Sequence, residues 1–79
     1  MRAKLKVSNV TVLGTSERLQ FSAVYKNGYD ASGLDEDNTF SKFTPTANLD
    51  MYVTNSELHG KFKAGDAFYV DFTPVSPAE

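Results

Sequence analysis

The chain lacks cysteine and has a single histidine, His59. The absence of cysteine excludes disulfides, and one imidazole without thiolates cannot build a structural zinc site. A domain of 79 residues buries a small share of its surface, so it needs close packing or a partner to gain stability. Six Phe and four Tyr are suited both to close packing of a core and to an interface with a partner. We therefore expect the chain to form a homo-oligomer.

Long hydrophobic runs are also absent. No segment approaches the roughly 18 apolar residues that a membrane-spanning helix requires. The opening residues 1–6 are basic, but no apolar stretch of about seven or more residues follows them, as it would in a signal peptide. The sequence therefore predicts a soluble cytoplasmic protein with no membrane partner.

A basic excess is missing as well, since the net charge is −2 and the sequence pI is about 5.2. Proteins dedicated to duplex nucleic acid normally carry a clear positive excess. The charges are nevertheless clustered, with Arg2, Lys4 and Lys6 at the start of the chain and Asp35, Glu36 and Asp37 in the middle. We predict that these two clusters, together with Tyr29, contact a binding partner.

Groups that could carry catalysis are scarce. A nucleophile needs an adjacent base, most often histidine, and His59 lies in a short turn without a partner motif. A pair of carboxylates needs a cleft to separate its pKa values, for which this chain is too short. The acidic run opens like an EF-hand loop, but Phe40 and Thr46 occupy its sixth and twelfth positions, where Gly and Glu are required. We predict no enzyme, no catalytic residue, no metal site and no cofactor.

The residues that are present alternate with a period of two, which is typical of β-strands. Leu5 and Val7 share one parity with a basic opposite face, whereas Val10 and Val12 have the other parity. A flat strand would send the two pairs to opposite faces. We therefore predict a β-bulge or sharp bend at Ser8-Asn9.

Later segments indicate more strands. A turn at 14–17 is followed by alternation from Leu19 to Tyr25, which predicts an antiparallel hairpin. Further predicted elements are strand segments at 39–43, 47–53 and 68–72, and a capped helical turn at 55–60. The predicted fold is all-β: a small antiparallel barrel or sandwich of four to five strands, with one short helical turn before the last strand. A coiled first strand is compatible with an OB-like arrangement. We assign residues 1–74 to one domain and 75–79 to a loose tail.

The segment from 27 to 38 is polar, contains two glycines and carries the acidic cluster. A loop of this length is unusual in a compact domain, and such loops are commonly functional or mobile. We predict an exposed acidic loop that could contact a basic partner. Tyr29 lies within it.

One resemblance covers most of the chain. The segment from 60 to 74, GKFKAGDAFYVDFTP, is similar to the ending of small uncharacterised proteins of tailed bacteriophages. The opening MRAKLKV, the central NTFSKFTP and the tripeptide VTN at 53–55 are similar too. The resemblance implies a viral origin and a place in the cytoplasm of the infected bacterial host or in the virion. It implies no mechanism, and no catalytic motif is carried over.

These observations favour a non-enzymatic phage accessory protein that acts by protein binding or self-assembly, as a minor virion component or as an inhibitor of a host factor. The first alternative is single-stranded nucleic-acid binding, with the basic strand face beside stacking platforms from the four tyrosines, Tyr25, Tyr29, Tyr52 and Tyr69. The basic residues also have an ordinary explanation, because cations on an edge strand prevent aggregation. The second alternative is an oligomer that sequesters a small charged ligand such as a nucleotide.

Overall fold

A computed structural model describes residues 1–26, 28 and 30–77. Its four strands are β1 (Arg2–Leu13), β2 (Ser16–Ala23), β3 (Asn48–Val53) and β4 (Ala67–Asp71). They form one antiparallel sheet in the order β3-β2-β1-β4. This is a Greek-key order, since the last strand returns to lie beside the first. The all-β class is confirmed.

The sheet is open, so the predicted barrel or sandwich does not form within the described residues. β3 and β4 are the two edges, and β1 and β2 occupy the centre. The predicted strand at 39–43 is wrong, because this segment consists of turns and bends. Phe43 adopts a left-handed backbone, with φ of 59°, which a continuing strand cannot contain. A fifth strand that would have helped to close a barrel is therefore missing.

The first hairpin confirms the predicted change of parity. Val7 lies opposite Phe21, whereas Asn9 lies opposite Gln20, so β1 has one extra residue at Ser8. The Ser8 hydroxyl donates to the Gln20 carbonyl at 3.1 Å. Because of this bulge, Val10 faces Leu19 and keeps to the same side of the sheet as Val7.

The register divides the sheet into two faces of opposite character. One side of the sheet, which we call the apolar face, is formed by these strand residues: Ala3, Leu5, Val7, Val10, Val12, Glu17, Leu19, Phe21, Ala23, Leu49, Met51, Val53, Phe68 and Val70. We call polar face the opposite side, which carries Arg2, Lys4, Lys6, Arg18, Gln20, Ser22, Asp50, Tyr52, Tyr69 and Asp71. Alternation along each strand produces this division.

The core is small and lies on the apolar face. Its buried hydrophobic residues are Ala3, Leu5, Val7, Leu19 and Phe21. Phe62, from the connection between β3 and β4, packs edge-to-face on Phe21 with ring centroids 6.4 Å apart. Phe40 and Ala47, from the connection between β2 and β3, also pack against the core. Two connecting segments, rather than a second layer of secondary structure, thus cover part of the apolar face.

The predicted helical turn is confirmed as a short 3-10 helix at Ser56–Leu58. The Asn55 side chain caps it by accepting the Glu57 N–H at 3.1 Å. Gly60 follows with φ of 77°, the left-handed conformation that glycine adopts without steric cost. The turn directs the chain from the edge strand β3 back towards β4.

Candidate interaction surfaces

The acidic loop is only partly exposed, contrary to the prediction. Asp35 is 6% exposed and Asn38 is fully buried. The Asp35 carboxylate accepts the Asp37 N–H at 3.0 Å and the Asn38 side-chain amide at 3.2 Å. These local bonds fold the loop back onto the sheet. Asp35 therefore supports the loop from inside, Asp37 is half-buried and Glu36 is exposed.

Asn38 bridges β1 and β2 at the end of their ladder, where the Val24 N–H still donates directly to the Lys4 carbonyl at 2.9 Å. Its Oδ1 accepts the Lys4 N–H at 2.8 Å, and its Nδ2 donates to the Val24 carbonyl at 2.6 Å. The side-chain amide thus bonds to both strands as a peptide group would, and it extends the ladder beyond Ala23. Sequence reasoning missed this role, because an asparagine at the end of a polar loop looks like an ordinary turn residue.

Asp37 joins the loop to the polar face. Its carboxylate accepts the Tyr69 hydroxyl at 2.8 Å and lies 3.6 Å from the Lys4 ammonium. The hydrogen bond to Asp37, and then the carboxylate charge, raise the pKa of Tyr69. The structure therefore brings Lys4 and Asp37, from the two predicted clusters, into contact with each other. Tyr29 lies outside the described residues.

The basic residues of β1 are largely neutralised. The Arg2 guanidinium lies 2.8 Å from the Asp71 carboxylate and 4.7 Å from the centre of the Tyr69 ring. The hydrogen bond from Arg2 lowers the pKa of Asp71. Lys6 makes no ion pair within the described part of the chain. Because β1 is a central strand, these cations cannot protect an edge, and that explanation for them is wrong.

A similar arrangement recurs on the opposite side of the polar face. Arg18 makes two bonds to Asp50, at 3.0 and 2.7 Å, and its guanidinium lies 5.6 Å from the centre of the Tyr52 ring. Each arginine of the polar face thus holds one aspartate of an edge strand and contacts one tyrosine ring. The polar face therefore presents paired charges rather than a basic surface.

These pairs predict a loss of stability in acid. Hydrogen bonds from the arginines lower the pKa of Asp50 and Asp71 in the folded protein. The ionised carboxylates therefore stabilise the fold at pH values above the unfolded aspartate pKa of about 3.9. This stabilisation is lost as pH falls through the lower folded pKa values. We expect a small decrease of the melting temperature below about pH 4, because exposed ion pairs contribute little stability. Arg18→Gln should flatten this decrease, because the pKa of Asp50 then returns towards normal. Thermal melts of wild type and Arg18→Gln between neutral pH and acid measure this difference. Equal decreases of the melting temperature in the two proteins would contradict a role for the Arg18–Asp50 pair.

The apolar face remains open in several places. Exposed large side chains on or beside it are Val12 (73%), Met51 (41%), Phe68 (36%) and Phe72 (56%). A groove of about 220 Å³ is lined by residues that include Leu5, Phe40, Leu49, Val70 and Phe72. The connecting segments therefore leave part of the hydrophobic surface in contact with water, which is unfavourable in proportion to its area.

Glu17 is the only ionisable side chain of the apolar face, and it is 6% exposed. Its Oε2 accepts the Gly60 N–H at 3.2 Å. Its Oε1 is buried and has no hydrogen-bond partner among the residues that the structure describes. A buried acceptor without a donor is costly, so Glu17 lowers the stability of this end of the face.

In residues 1–26, 28 and 30–77, no group of three acidic or histidine side chains is placed to hold a metal ion. The same residues contain no helix long and apolar enough to span a membrane. Comparison with known proteins found no matching family model, no matching curated protein and no matching solved structure.

Proposed function

We propose that this chain is a non-enzymatic binding protein that works as a homo-oligomer, in which a second copy covers the apolar face. The supporting observation is the partial cover of that face. A β-sheet with one hydrophobic side must bury it against another layer, and here two connecting segments cover only part of it. Met51 and Phe68 remain in contact with water.

The size of the exposed surface supports the proposal. A compact monomer of 8.7 kDa exposes about 4,700 Å², whereas this chain exposes 5687 Å². The excess of roughly 1,000 Å² is comparable to the area of about 800 Å² that each partner buries in a standard interface. The radius of gyration is 14.9 Å, against about 11.6 Å for a compact domain of this length. Both values are larger than those of a compact domain of the same length, as expected for a chain that needs a second copy to complete its core.

A second copy fits this face better than a charged partner does. Glu17 is the only charged group among its strand side chains, and it is buried, so two copies can meet without exposed like charges between them. Two sheets that pack face to face also restore the two-layer architecture of a sandwich. The interface is then isologous, as in most symmetric dimers.

The resemblance to small proteins of tailed bacteriophages supports a viral context. We propose a phage accessory protein, either a minor virion component or an inhibitor of a host factor, in the infected cytoplasm or in the virion.

Single-strand binding has weaker support, because aspartates pair with Arg2 and Arg18 and both guanidinium groups contact the rings of Tyr69 and Tyr52. The apolar lining of the groove likewise gives no support to capture of a charged nucleotide.

Two neighbouring substitutions on β3 test the proposal. Met51→Asp puts a carboxylate on the apolar face, whereas Tyr52→Asp puts the same charge on the polar face. An unpaired charge buried in an interface costs about 3–5 kcal/mol, so Met51→Asp should weaken self-association by on the order of a hundredfold or more. Tyr52→Asp should leave it nearly unchanged.

Sedimentation equilibrium at several concentrations measures this difference, and circular dichroism verifies that both variants are folded. Equal association of the two variants would contradict the proposal. A wild-type protein that stays monomeric up to millimolar concentration would also contradict it.

A further inference from the structure

The outer edge of β4 carries main-chain groups that the sheet does not use. Phe72 N–H donates to the Met1 carbonyl at 2.9 Å, and Val7 N–H donates to the Asp66 carbonyl at 2.8 Å. These bonds place the even-numbered residues of the β4 region against β1. Because the bonding direction alternates along a strand, the N–H and C=O groups of the odd residues 67, 69 and 71 point away from the sheet.

Within its five residues, β4 has no lysine, no proline and no bulge, which are three of the features that protect an edge strand against pairing. β4 has the sequence AFYVD, and its register with β1 is unbroken. Its one charged residue, Asp71, is paired with Arg2 of the same chain. The lysines that could protect an edge, Lys4 and Lys6, lie on the central strand β1 instead.

We infer that the outer edge of β4 pairs in an antiparallel manner with β4 of a second copy, so that the sheet continues across a two-fold axis. In the register centred on Tyr69, Ala67 of each copy lies opposite Asp71 of the other. Phe68 then lies opposite Val70 on the apolar face, which is a favourable aromatic and β-branched pair. The three outward residues of each copy form a complete set of ladder hydrogen bonds.

The other edge of the sheet fits a second copy less well. Ala23 N–H donates to the Ala47 carbonyl at 3.1 Å, so the outward groups of β3 belong to the even residues 48, 50 and 52. A symmetric register centred on this set would place Asp50 opposite Asp50. Arg18 of the same chain partly offsets each carboxylate, but the register of β4 places no like charges opposite each other at all. The self-complementary register therefore selects β4.

Edge pairing and packing of the apolar face are separate contacts. Edge pairing alone gives a dimer with an eight-stranded sheet and a doubled apolar face. Two such sheets packed face to face give a tetramer with dihedral symmetry. We therefore expect wild-type protein to have the mass of four chains at high concentration.

Proline at an outward position tests the edge, because it removes one outward N–H and no ladder bond within the chain. Ala67→Pro changes the edge of β4, and Asn48→Pro is the matched change at the first residue of β3. A second variant, Tyr69→Lys, places two ammonium groups opposite each other at the centre of the proposed register. Tyr69→Lys takes the place of Ala67→Pro in the test if circular dichroism shows that Ala67→Pro does not fold.

Light scattering after size exclusion separates the outcomes. We expect Ala67→Pro and Tyr69→Lys to halve the mass of the assembly and Asn48→Pro to leave it unchanged. The inference is overturned if the mass is the same in all three, or if only Asn48→Pro reduces it. The proposed function then still stands if Met51→Asp dissociates the protein. Conversely, a dimer that Ala67→Pro dissociates and Met51→Asp leaves intact would support the edge and contradict the apolar interface.

Discussion

Replacing Asn38 by alanine should lower the free energy of unfolding by about 2–6 kcal/mol. Asn38 is fully buried, and its side-chain amide satisfies the Lys4 N–H and the Val24 carbonyl at the end of the ladder between β1 and β2. Alanine leaves both groups without a partner, and each unsatisfied buried group costs about 1–3 kcal/mol. It also frees the Asp35 carboxylate from its bond to the amide. Urea denaturation followed by circular dichroism measures the loss.

Asn38→Asp gives a sharper version of the same test. Aspartate retains the oxygen that accepts from Lys4, but it replaces the donor to Val24 and places a second carboxylate beside buried Asp35. At neutral pH this variant should be at least as unstable as Asn38→Ala. It should regain stability in mild acid, since a protonated carboxyl can donate again.

An exposed asparagine provides the control for Asn38. Asn9→Ala removes an amide that bonds only to the side chains of Thr11 and Gln20 on the surface. This change should cost less than about 0.5 kcal/mol. Equal losses for Asn38→Ala and Asn9→Ala would contradict the role assigned to Asn38.

Phe21→Ala should remove a large fraction of the free energy of unfolding. Phe21 is 5% exposed, and its ring makes edge-to-face contacts with Phe62 at 6.4 Å and Phe68 at 6.3 Å. Truncation of a buried Phe costs about 3–5 kcal/mol. A domain of this length has a total stability of about 4–12 kcal/mol, so one such loss consumes much of it.

Phe21→Leu separates ring contacts from volume. Leucine fills most of the site and should cost about half as much as alanine or less, because volume is largely conserved. Thermal unfolding and the dispersion of amide resonances report the difference. A loss below about 1 kcal/mol for Phe21→Ala would show that this residue is not central to the core.

Features encoded by local spacing could be predicted from the sequence. The parity change between Val7 and Val10 predicts the bulge, and Asn55 and Gly60 mark the ends of the helical turn. These signals succeed because each depends on a few neighbouring residues. The division into an apolar and a polar face follows from the same period-two pattern.

Features that depend on distant residues could not be predicted in this way. Whether β1 is an edge or a centre depends on where β4 pairs, about sixty residues later, and periodicity carries no information about partners. The burial of Asp35 and Asn38 is hidden for the same reason, since their composition indicates a solvated loop. The lack of a strand at 39–43 is a further example, since the period-two pattern of this segment does not reveal the left-handed backbone of Phe43.

The two faces have different consequences for binding. The polar face uses its cations internally, because Arg2, Lys4 and Arg18 each pair with an aspartate. Exposed pairs of this kind contribute little stability, but they leave less free charge for a partner. The apolar face has the opposite property, since large side chains such as Val12, Met51 and Phe72 remain exposed on or beside it within one copy.

The concentration dependence of the melting temperature tests the central claim most directly, namely that the chain completes its core with a second copy. If only the folded chain associates, a hundredfold rise in protein concentration stabilises the dimer by about 2.7 kcal/mol. The melting temperature should then rise by roughly 5–10 °C. A melting temperature that is constant within about 1 °C over this range would contradict the claim, because a self-sufficient monomer gains nothing by mass action.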